Sequence, residues 1–338
     1  MNRIVLVHRD SLSCESIVRR MPNGELLMVC QCKGPTEPHP DNRVFFFHSG
    51  DNGATWSAPK SIYPEDGNAV YQTEVMVHDG VVSVFLTIHT GRFLNWNCIV
   101  MKSYDSGYTW ENAGAPPHLP TFTFVRGMIV LKNGNLVIPY QHYPISDEIN
   151  AELVAKLGKT GPVWQSCIDH CENGILLSTD NGKTYSRHLG AKIPMPADRW
   201  VWSEPSVAEL SDGTIAMLLR RDGSGCLWRS DSKDGGKSWS EIYATDIPNP
   251  TNKAHLVPIP DGRIALLHTP NPHSDFGARN PLSVWISYND MKSWDYKRTV
   301  TDFPGIFSYP DGFYEDGHIL FAFEYNRHDI FFVDHTIE

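Results

Sequence analysis

No run of 18 apolar residues occurs in the 338-residue chain, so nothing in it reads as a membrane-crossing helix. Basic charge is in deficit: 29 Lys and Arg stand against 39 Asp and Glu, a formal net charge of -10. That balance argues against nucleic acid or an anionic membrane as partner. Cysteine is sparse and odd in number, seven in all, without a spaced framework, so free thiols in a reducing compartment are expected. Cys30 and Cys32 alternate onto one strand face, while Cys14, Cys98 and Cys226 are isolated. Cys167-Ile-Asp-His170-Cys171 looks like a metal fragment, but no second ligand pair accompanies it, and no cofactor is expected. The chain starts Met1-Asn-Arg-Ile-Val-Leu-Val-His, a strand pattern without a signal-peptide core, from which a cytoplasmic location is expected unless a leader has been removed.

What the chain has is turns, with 26 Gly and 24 Pro. Five stretches share one pattern, S-x-D-x-G-x-[ST]-[WY]. They are Ser49–Trp56, Ser103–Trp110, Ser178–Tyr185, Ser232–Trp239 and a degraded copy, Ser287–Trp294, with Asn289 and Met291 at the Asp and Gly positions. Five copies signal a repeat architecture. In each, the Asp can accept backbone N–H bonds within a turn, the Gly allows positive φ, and the aromatic enters a packed layer. Five equivalent catalytic aspartates would make no chemical sense, so the boxes are read as structural.

A second repeat interleaves with the first. Asn23-Gly24, Asp79-Gly80, Asn133-Gly134, Asp212-Gly213, Asp261-Gly262 and Asp316-Gly317 each separate two apolar β-type runs, a strong hairpin signal. The box Asp position follows the first five by 27, 25, 46, 21 and 27 residues. The unit is strand, tight turn, strand, loop, strand, box turn, strand: a four-stranded propeller blade. The sixth hairpin has no box, and its missing strand is supplied by Arg3-Ile-Val-Leu-Val at the N-terminus. The expected fold is all-β, one six-bladed β-propeller over residues 1–338, closed by the N-terminal strand so that no sheet edge is exposed. Blade 3 carries an insertion over residues 141–165, in which Ser146–Gly158 reads as a short helix with Ile149, Leu153 and Leu157 as its apolar stripe. A packed insert and a wall beside a substrate mouth are equally open readings.

In such a ring the start of each first strand and the end of each second strand share one face, opposite the boxes. Counting back about eight or nine residues from each hairpin Gly gives Glu15, Gln72, Arg126, Glu204, Asn252-Lys253 and Ser308-Tyr309. Counting forward about seven gives Gln31, Thr87 (with His89 beyond), Gln141-His142, Arg220, Thr269 beside His268, and Glu324-Tyr325. Polar groups gathered from six blades at one mouth make a binding-site candidate. Arg327, just beyond, is a further substrate-binding candidate.

The boxes and blade count resemble the sialidase (neuraminidase) superfamily, its bacterial branch with aspartate-box (BNR) repeats, over essentially the whole chain. That resemblance implies a glycoside hydrolase. Trp202-Ser203-Glu204 with Arg220 is similar to the family's blade-4 Glu and Arg. Arg279, ahead of Pro281-Leu-Ser-Val-Trp-Ile-Ser287, resembles a second family arginine. Asp41, with Glu37 and His39 nearby, is the match to the family acid/base. Phe307-Ser308-Tyr309-Pro310 resembles the segment of the nucleophilic Tyr, with Tyr309 displaced by about one residue. Blade 1 departs: where the family has Arg-Ile-Pro, this chain has Cys14-Glu15-Ser16. One bidentate carboxylate contact is thereby lost, and Glu15 would repel the same anion.

The expected activity is a sialidase-like exo-glycosidase on an acidic sugar, and not an ordinary sialidase. Asp41 would be acid/base and Tyr309, deprotonated toward Glu204, the nucleophile; without a substrate carboxylate, Glu204 or Glu15 could serve directly. Glu15, Gln72, Arg126, Gln141, His142, Trp202, Arg220, Asn252, Arg279 and Arg327 would bind substrate. Two other readings stand beside it: a lyase on a uronic acid, with His142, His89 or His268 as base, and a non-catalytic sugar-binding propeller.

Overall fold

The computed structural model describes residues 2–93, 96–115, 119–120, 122–157, 168–196 and 200–337. Six antiparallel sheets stand in a ring. Blade 1 runs Ser13–Arg20, Leu26–Cys32, Arg43–Ser49 and Lys60–Ser61; blade 2 runs Ala69–His78, Val81–His89, Asn97–Ser103 and Glu111–Asn112. Blade 3 has Thr123–Val125, Ile129–Val130, Leu136–His142, His170–Ser178 and Ser186–Pro194. Blade 4 comprises Pro205–Glu209, Ile215–Leu219, Cys226–Ser232 and Tyr243–Pro248, and blade 5 His255–Pro258, Ile264–His268, Ser283–Ser287 and Tyr296–Thr299. In blade 6, Phe307–Glu315, His318–Tyr325 and Asp329–Thr336 are completed by Asn2–Arg9, which pairs antiparallel with the last strand. Both ends of the chain therefore share one sheet.

The core is split among the joints between blades. Among the described residues six apolar clusters occur, one per joint. Leu27, Val29 and Phe46 of blade 1 meet Val82, Val84 and Leu86 of blade 2, for instance, and Val284 and Ile286 of blade 5 meet Phe321 and Phe323 of blade 6. Each such fully buried side chain contributes roughly 1.5–3 kcal/mol.

The boxes are turns that fasten the joints. In the first, the Ser49 hydroxyl accepts the Gly53 N–H at 2.8 Å. The Asp51 carboxylate accepts the Thr55 N–H at 2.9 Å and its hydroxyl at 2.7 Å. The same bonds recur at Asp105, Asp180 and Asp234. In the degraded copy Asn289 accepts the Ser293 N–H and donates its amide to the Ser293 hydroxyl, each at 2.9 Å. The box aromatic then packs on the preceding blade. Trp56 meets Phe332 of blade 6 with ring centres 5.5 Å apart, and Trp110 meets Phe46 of blade 1 at 5.8 Å.

The insertion contains the helix Asp147–Leu157, whose Ile149 N–H is capped by the Ser146 hydroxyl at 3.2 Å. Ile149 packs against the blade 3–4 cluster. The side chains of Leu153 and Leu157, and residues 158–167 with Gly158 and Cys167, lie outside the described residues. The six described cysteines are unpaired.

Candidate active site

The first strands of blades 1 and 6 begin with β-bulges. Pairing slips between Cys14 and Ile17 and between Ser308 and Asp311. A bulge inserts one residue and re-aims its side chain. Glu15 and Tyr309 are the residues re-aimed, with φ +53° and +52°, a conformation L-residues other than Gly seldom adopt. Strain of this kind gathers at functional sites.

Both side chains reach a cavity of about 210 Å³ to which every blade contributes. Blade 1 gives Glu15 and Glu37, blade 2 Tyr71 and Phe93, and blade 3 Phe124 and Arg126. Blade 4 supplies Trp202, Glu204 and Arg220, blade 5 Phe276 and Arg279, and blade 6 Tyr309 and Arg327. All lie at first-strand starts or in loops after second strands, the face inferred from the repeats. The axial channel widens again to about 310 Å³ beside Arg19, Arg20 and His255. Its charges there are matched: Arg19 pairs with Asp311 at 2.6 Å and Glu74 at 2.8 Å, and Arg20 with Glu315.

At the cavity wall Tyr309 donates its hydroxyl proton to Glu204 at 2.8 Å. Arg220 donates to the Tyr309 oxygen at 2.9 Å and to both Glu204 oxygens at 3.2 Å. Asp222 holds the other edge of Arg220 at 2.5 and 3.1 Å. Burial acts to raise the Glu204 carboxyl, but Arg220, Arg126 and the Tyr309 hydroxyl outweigh it and hold it below the usual range. Burial and the Glu204 charge push Tyr309 well above the ordinary phenol value. The pair thus rests as a neutral phenol on an ionised carboxylate, arranged to pass one proton.

Arg279 differs from its neighbours. It is 3 % exposed and donates to the Ser308 hydroxyl at 3.0 Å and the Thr251 carbonyl at 2.6 Å. Among the described residues no carboxylate pairs with it, and its Nε has no partner. Burial, reinforced by the Arg220 charge, pulls it down to about 10. A buried guanidinium without a counter-ion is a ready anion site.

Glu15 is buried as well. Its carboxylate accepts from Arg126 at 2.9 Å, its N–H donates to Glu324 at 3.1 Å, and its carbonyl accepts from Gln72. Burial pushes the carboxyl up to about 7 against the pull of Arg126 and Lys253. Glu37 is held by Arg327.

Of the residues singled out from the sequence, Glu15, Arg126, Trp202, Glu204, Arg220, Arg279, Tyr309 and Arg327 come together on the wall. Gln72 and Asn252 stand behind it: Gln72 props the Glu15 backbone, and Asn252 accepts the Tyr309 N–H at 3.3 Å while donating to Thr269 and Phe307 at 3.0 Å. Gln141 is buried off the wall, and His142 is turned to the Thr123 hydroxyl at 3.0 Å. Asp41 is not on the wall either. Its side chain is 72 % accessible, 3.5 Å from His39, because the loop turns inward at Glu37 and outward again at Asp41. Tyr71, Phe93, Phe124, Phe276 and Asp222 were not singled out. Tyr71 adjoins Gln72, so the count from the hairpin missed it by the same one-residue slip that bulges cause, and Asp222 follows Arg220 by two. Among the described residues no group of three or more His, Cys, Asp or Glu is arranged to hold a metal ion.

The family model of the BNR repeat-like domain matches residues 67–320. The chain belongs to the BNR repeat-like family. A sialidase of Bacteroides fragilis is 24 % identical over 267 residues, covering 73 % of this chain and 42 % of that protein; the chain thus spans about two fifths of that relative's length. Among solved structures, the Hadza microbial sialidase Hz136 superposes with TM-score 0.75 at 17 % identity, over 97 % of this chain and 66 % of that one. Trypanosoma rangeli sialidase in complex with sialic acid superposes with TM-score 0.71 at 16 % identity, over 98 % and 58 %. At these identities the structural likeness speaks for the propeller, and this BNR-repeat chain is sialidase-like in fold and in weak sequence kinship.

Proposed function

We propose that this protein is an exo-acting glycoside hydrolase that removes a terminal sugar carrying an acid group, by a sialidase-like route. The observation that carries the reading is the hydrogen-bonded set Tyr309–Glu204–Arg220 beside the unpaired, buried Arg279. The acid group of the sugar binds Arg279, with Arg220 next to it. That places the anomeric carbon over the Tyr309 oxygen, which attacks as its proton passes to Glu204. Trp202, Phe93 and Phe276 give the sugar's apolar faces a surface, and the cavity's small volume suits one terminal residue better than a threaded chain. The Bacteroides fragilis relative, a sialidase, supports the reaction class. The substrate differs from an ordinary sialoside, since where sialidases have the blade-1 Arg-Ile-Pro this chain has Cys14-Glu15-Ser16, without the arginine and with a carboxyl beside its position.

The test is product analysis on a panel of acidic glycans and aryl glycosides, sialosides included. A released monosaccharide heavier by one water is expected. A product absorbing in the ultraviolet, lighter by water, would replace this reading by a lyase, with Tyr309 as base because no histidine lies on the described cavity wall. Saturable binding with no product from any substrate would leave a sugar-binding propeller.

A further inference from the structure

We propose that Glu15 is the general acid/base of this enzyme, so that the carboxyl occupying the blade-1 position acts on the leaving group. The inference rests on the hydrolase reading above and names the proton donor that it lacks. Hydrolysis with a nucleophile on one side of the anomeric carbon needs a proton donor at the glycosidic oxygen. Among the described residues three carboxyl groups line the cavity: Glu15, Glu37 and Glu204. Glu204 is committed to Tyr309 and Arg220. Glu37 is committed to Arg327. Glu15 gives one oxygen, Oε2, to Arg126, and among the described residues its other oxygen, Oε1, accepts no hydrogen bond.

The backbone gives the same indication. Glu15 sits at φ +53° on a bulge, locked by its N–H to Glu324 and its carbonyl to Gln72. A strained residue held from both sides is a positioned one. Tyr309 is presented in the same way from blade 6, on a bulge at φ +52° with its N–H on Asn252. Two carboxyls in one cavity whose environments drive their protons apart mark an acid and a base. Glu204 is held low, while burial pushes Glu15 up to about 7, against Arg126 and Lys253 and with Glu37 and Glu204 adding to the rise. A neutral Glu15 also removes the repulsion that a second carboxylate would exert on an acidic sugar.

The chemistry balances as follows. The Tyr309 oxygen bonds to the anomeric carbon as its proton passes to Glu204. The glycosidic C–O bond breaks, its electron pair goes to the departing oxygen, and the Glu15 proton joins that oxygen. Water then attacks the anomeric carbon and gives a proton to the Glu15 carboxylate. The Tyr309–carbon bond breaks, and Glu204 returns the phenolic proton. Water is the only co-reactant.

Leaving-group dependence tests this. Positioned acid catalysis contributes roughly 10²–10⁴-fold, and a phenol as acidic as 4-nitrophenol departs without it. Glu15→Gln should therefore lose on the order of 10²-fold or more on an alkyl glycoside of the accepted sugar and less than about tenfold on its 4-nitrophenyl glycoside. The alkaline limb of the pH–rate profile should disappear with it. Should Glu15→Gln fold poorly, Arg126→Gln gives a second readout. Without the neighbouring cation the Glu15 proton is held more firmly, and the alkaline limb moves to higher pH. A uniform loss on both glycosides, an unmoved limb in Arg126→Gln, or leaving-group dependence appearing in Glu37→Gln or Asp41→Asn instead, would overturn the assignment while hydrolysis stood. A wild-type protein that releases no sugar from any acidic glycoside would remove the underlying hydrolase reading, and this assignment with it.

Discussion

On the proposed route Tyr309 and Glu204 act as a unit, so removing either should cost nearly as much as removing both. Glu204→Gln and Tyr309→Phe are each expected to lower kcat on the order of 10³-fold or more, with the circular dichroism of the fold retained. Turnover within tenfold of wild type in both would sink the pair. Arg279→Met separates binding from chemistry. It removes a charge-assisted contact of about 1.5–3 kcal/mol, so KM should rise roughly 10–100-fold with kcat little changed. The melting temperature should hold or rise, because an unpaired buried guanidinium is lost. At this scale much of the site was legible in the sequence. Glu204, Arg220 and Arg126 fell at the mouth because hairpin turns index the strands from one end. Asp41 rests on its likeness to the family acid/base in the loop before the first box, yet that loop places Glu37 inward and Asp41 outward. Bulges were not legible: no residue in Cys14-Glu15-Ser16 announces one, and in blade 2, where pairing slips between Gln72 and Glu74, the count falls on Gln72 and passes over Tyr71.

The box turn is the element on which the joints depend, and two measurements probe it. Hydrogen bonds from Thr and Ser hold Asp51, Asp105 and Asp180 down to about 2. A carboxyl with a folded value below its unfolded one, near 3.8, contributes stability above the unfolded value and loses it as pH falls through the folded value. The melting temperature should therefore drop between about pH 4 and pH 2. The triple variant Asp51→Asn, Asp105→Asn, Asp180→Asn should flatten that drop, as Asn289 already makes the equivalent bonds without a titrating group. An unchanged acid limb in the triple variant would remove the boxes as its cause. Glycines separate turn from joint. Gly53 has φ +82°, and an added methyl would lie 2.2 Å from the Phe332 ring; Gly24 has φ +87° and nothing within 4 Å. Gly24→Ala should cost only the conformational strain of about 1–2 kcal/mol. Gly53→Ala should cost that plus about 1–3 kcal/mol of overpacking against blade 6. Equal losses in a denaturant titration would show that the box does not press on its neighbour. The motif spacing told where each turn falls, but not that its aromatic faces the preceding blade, because pairing between sheets leaves no periodic mark.

Across the whole ring, the axial channel is braced by charge. Asp311 of blade 6 accepts from Arg19 at 2.6 Å and Lys253 at 2.9 Å and lies 3.3 Å from His255, which joins blades 1, 5 and 6 below the site. Asp311→Ala would strand the buried Lys253 and leave Arg19 with Glu74 alone, and should cost about 3–5 kcal/mol, read as a lower urea midpoint with unchanged slope. A loss under 1 kcal/mol would mean that water replaces the carboxylate. Six blades and their closure by the N-terminal strand were legible because each blade repeats its two turn signals and the last lacks one strand. The packing of Ile149 of the blade-3 insertion on the blade 3–4 cluster was not, since its apolar stripe fits a packed helix and a wall equally.

Blade 6 brings Tyr309 and Arg327 to the cavity, and its outermost strand, Asn2–Arg9, comes from the far end of the sequence to pair with Asp329–Thr336. The blade that presents Tyr309 is therefore also the clasp of the ring. Whatever pries Asn2–Arg9 loose frees an edge of that blade, so a disturbance on the outer rim is felt at the cavity.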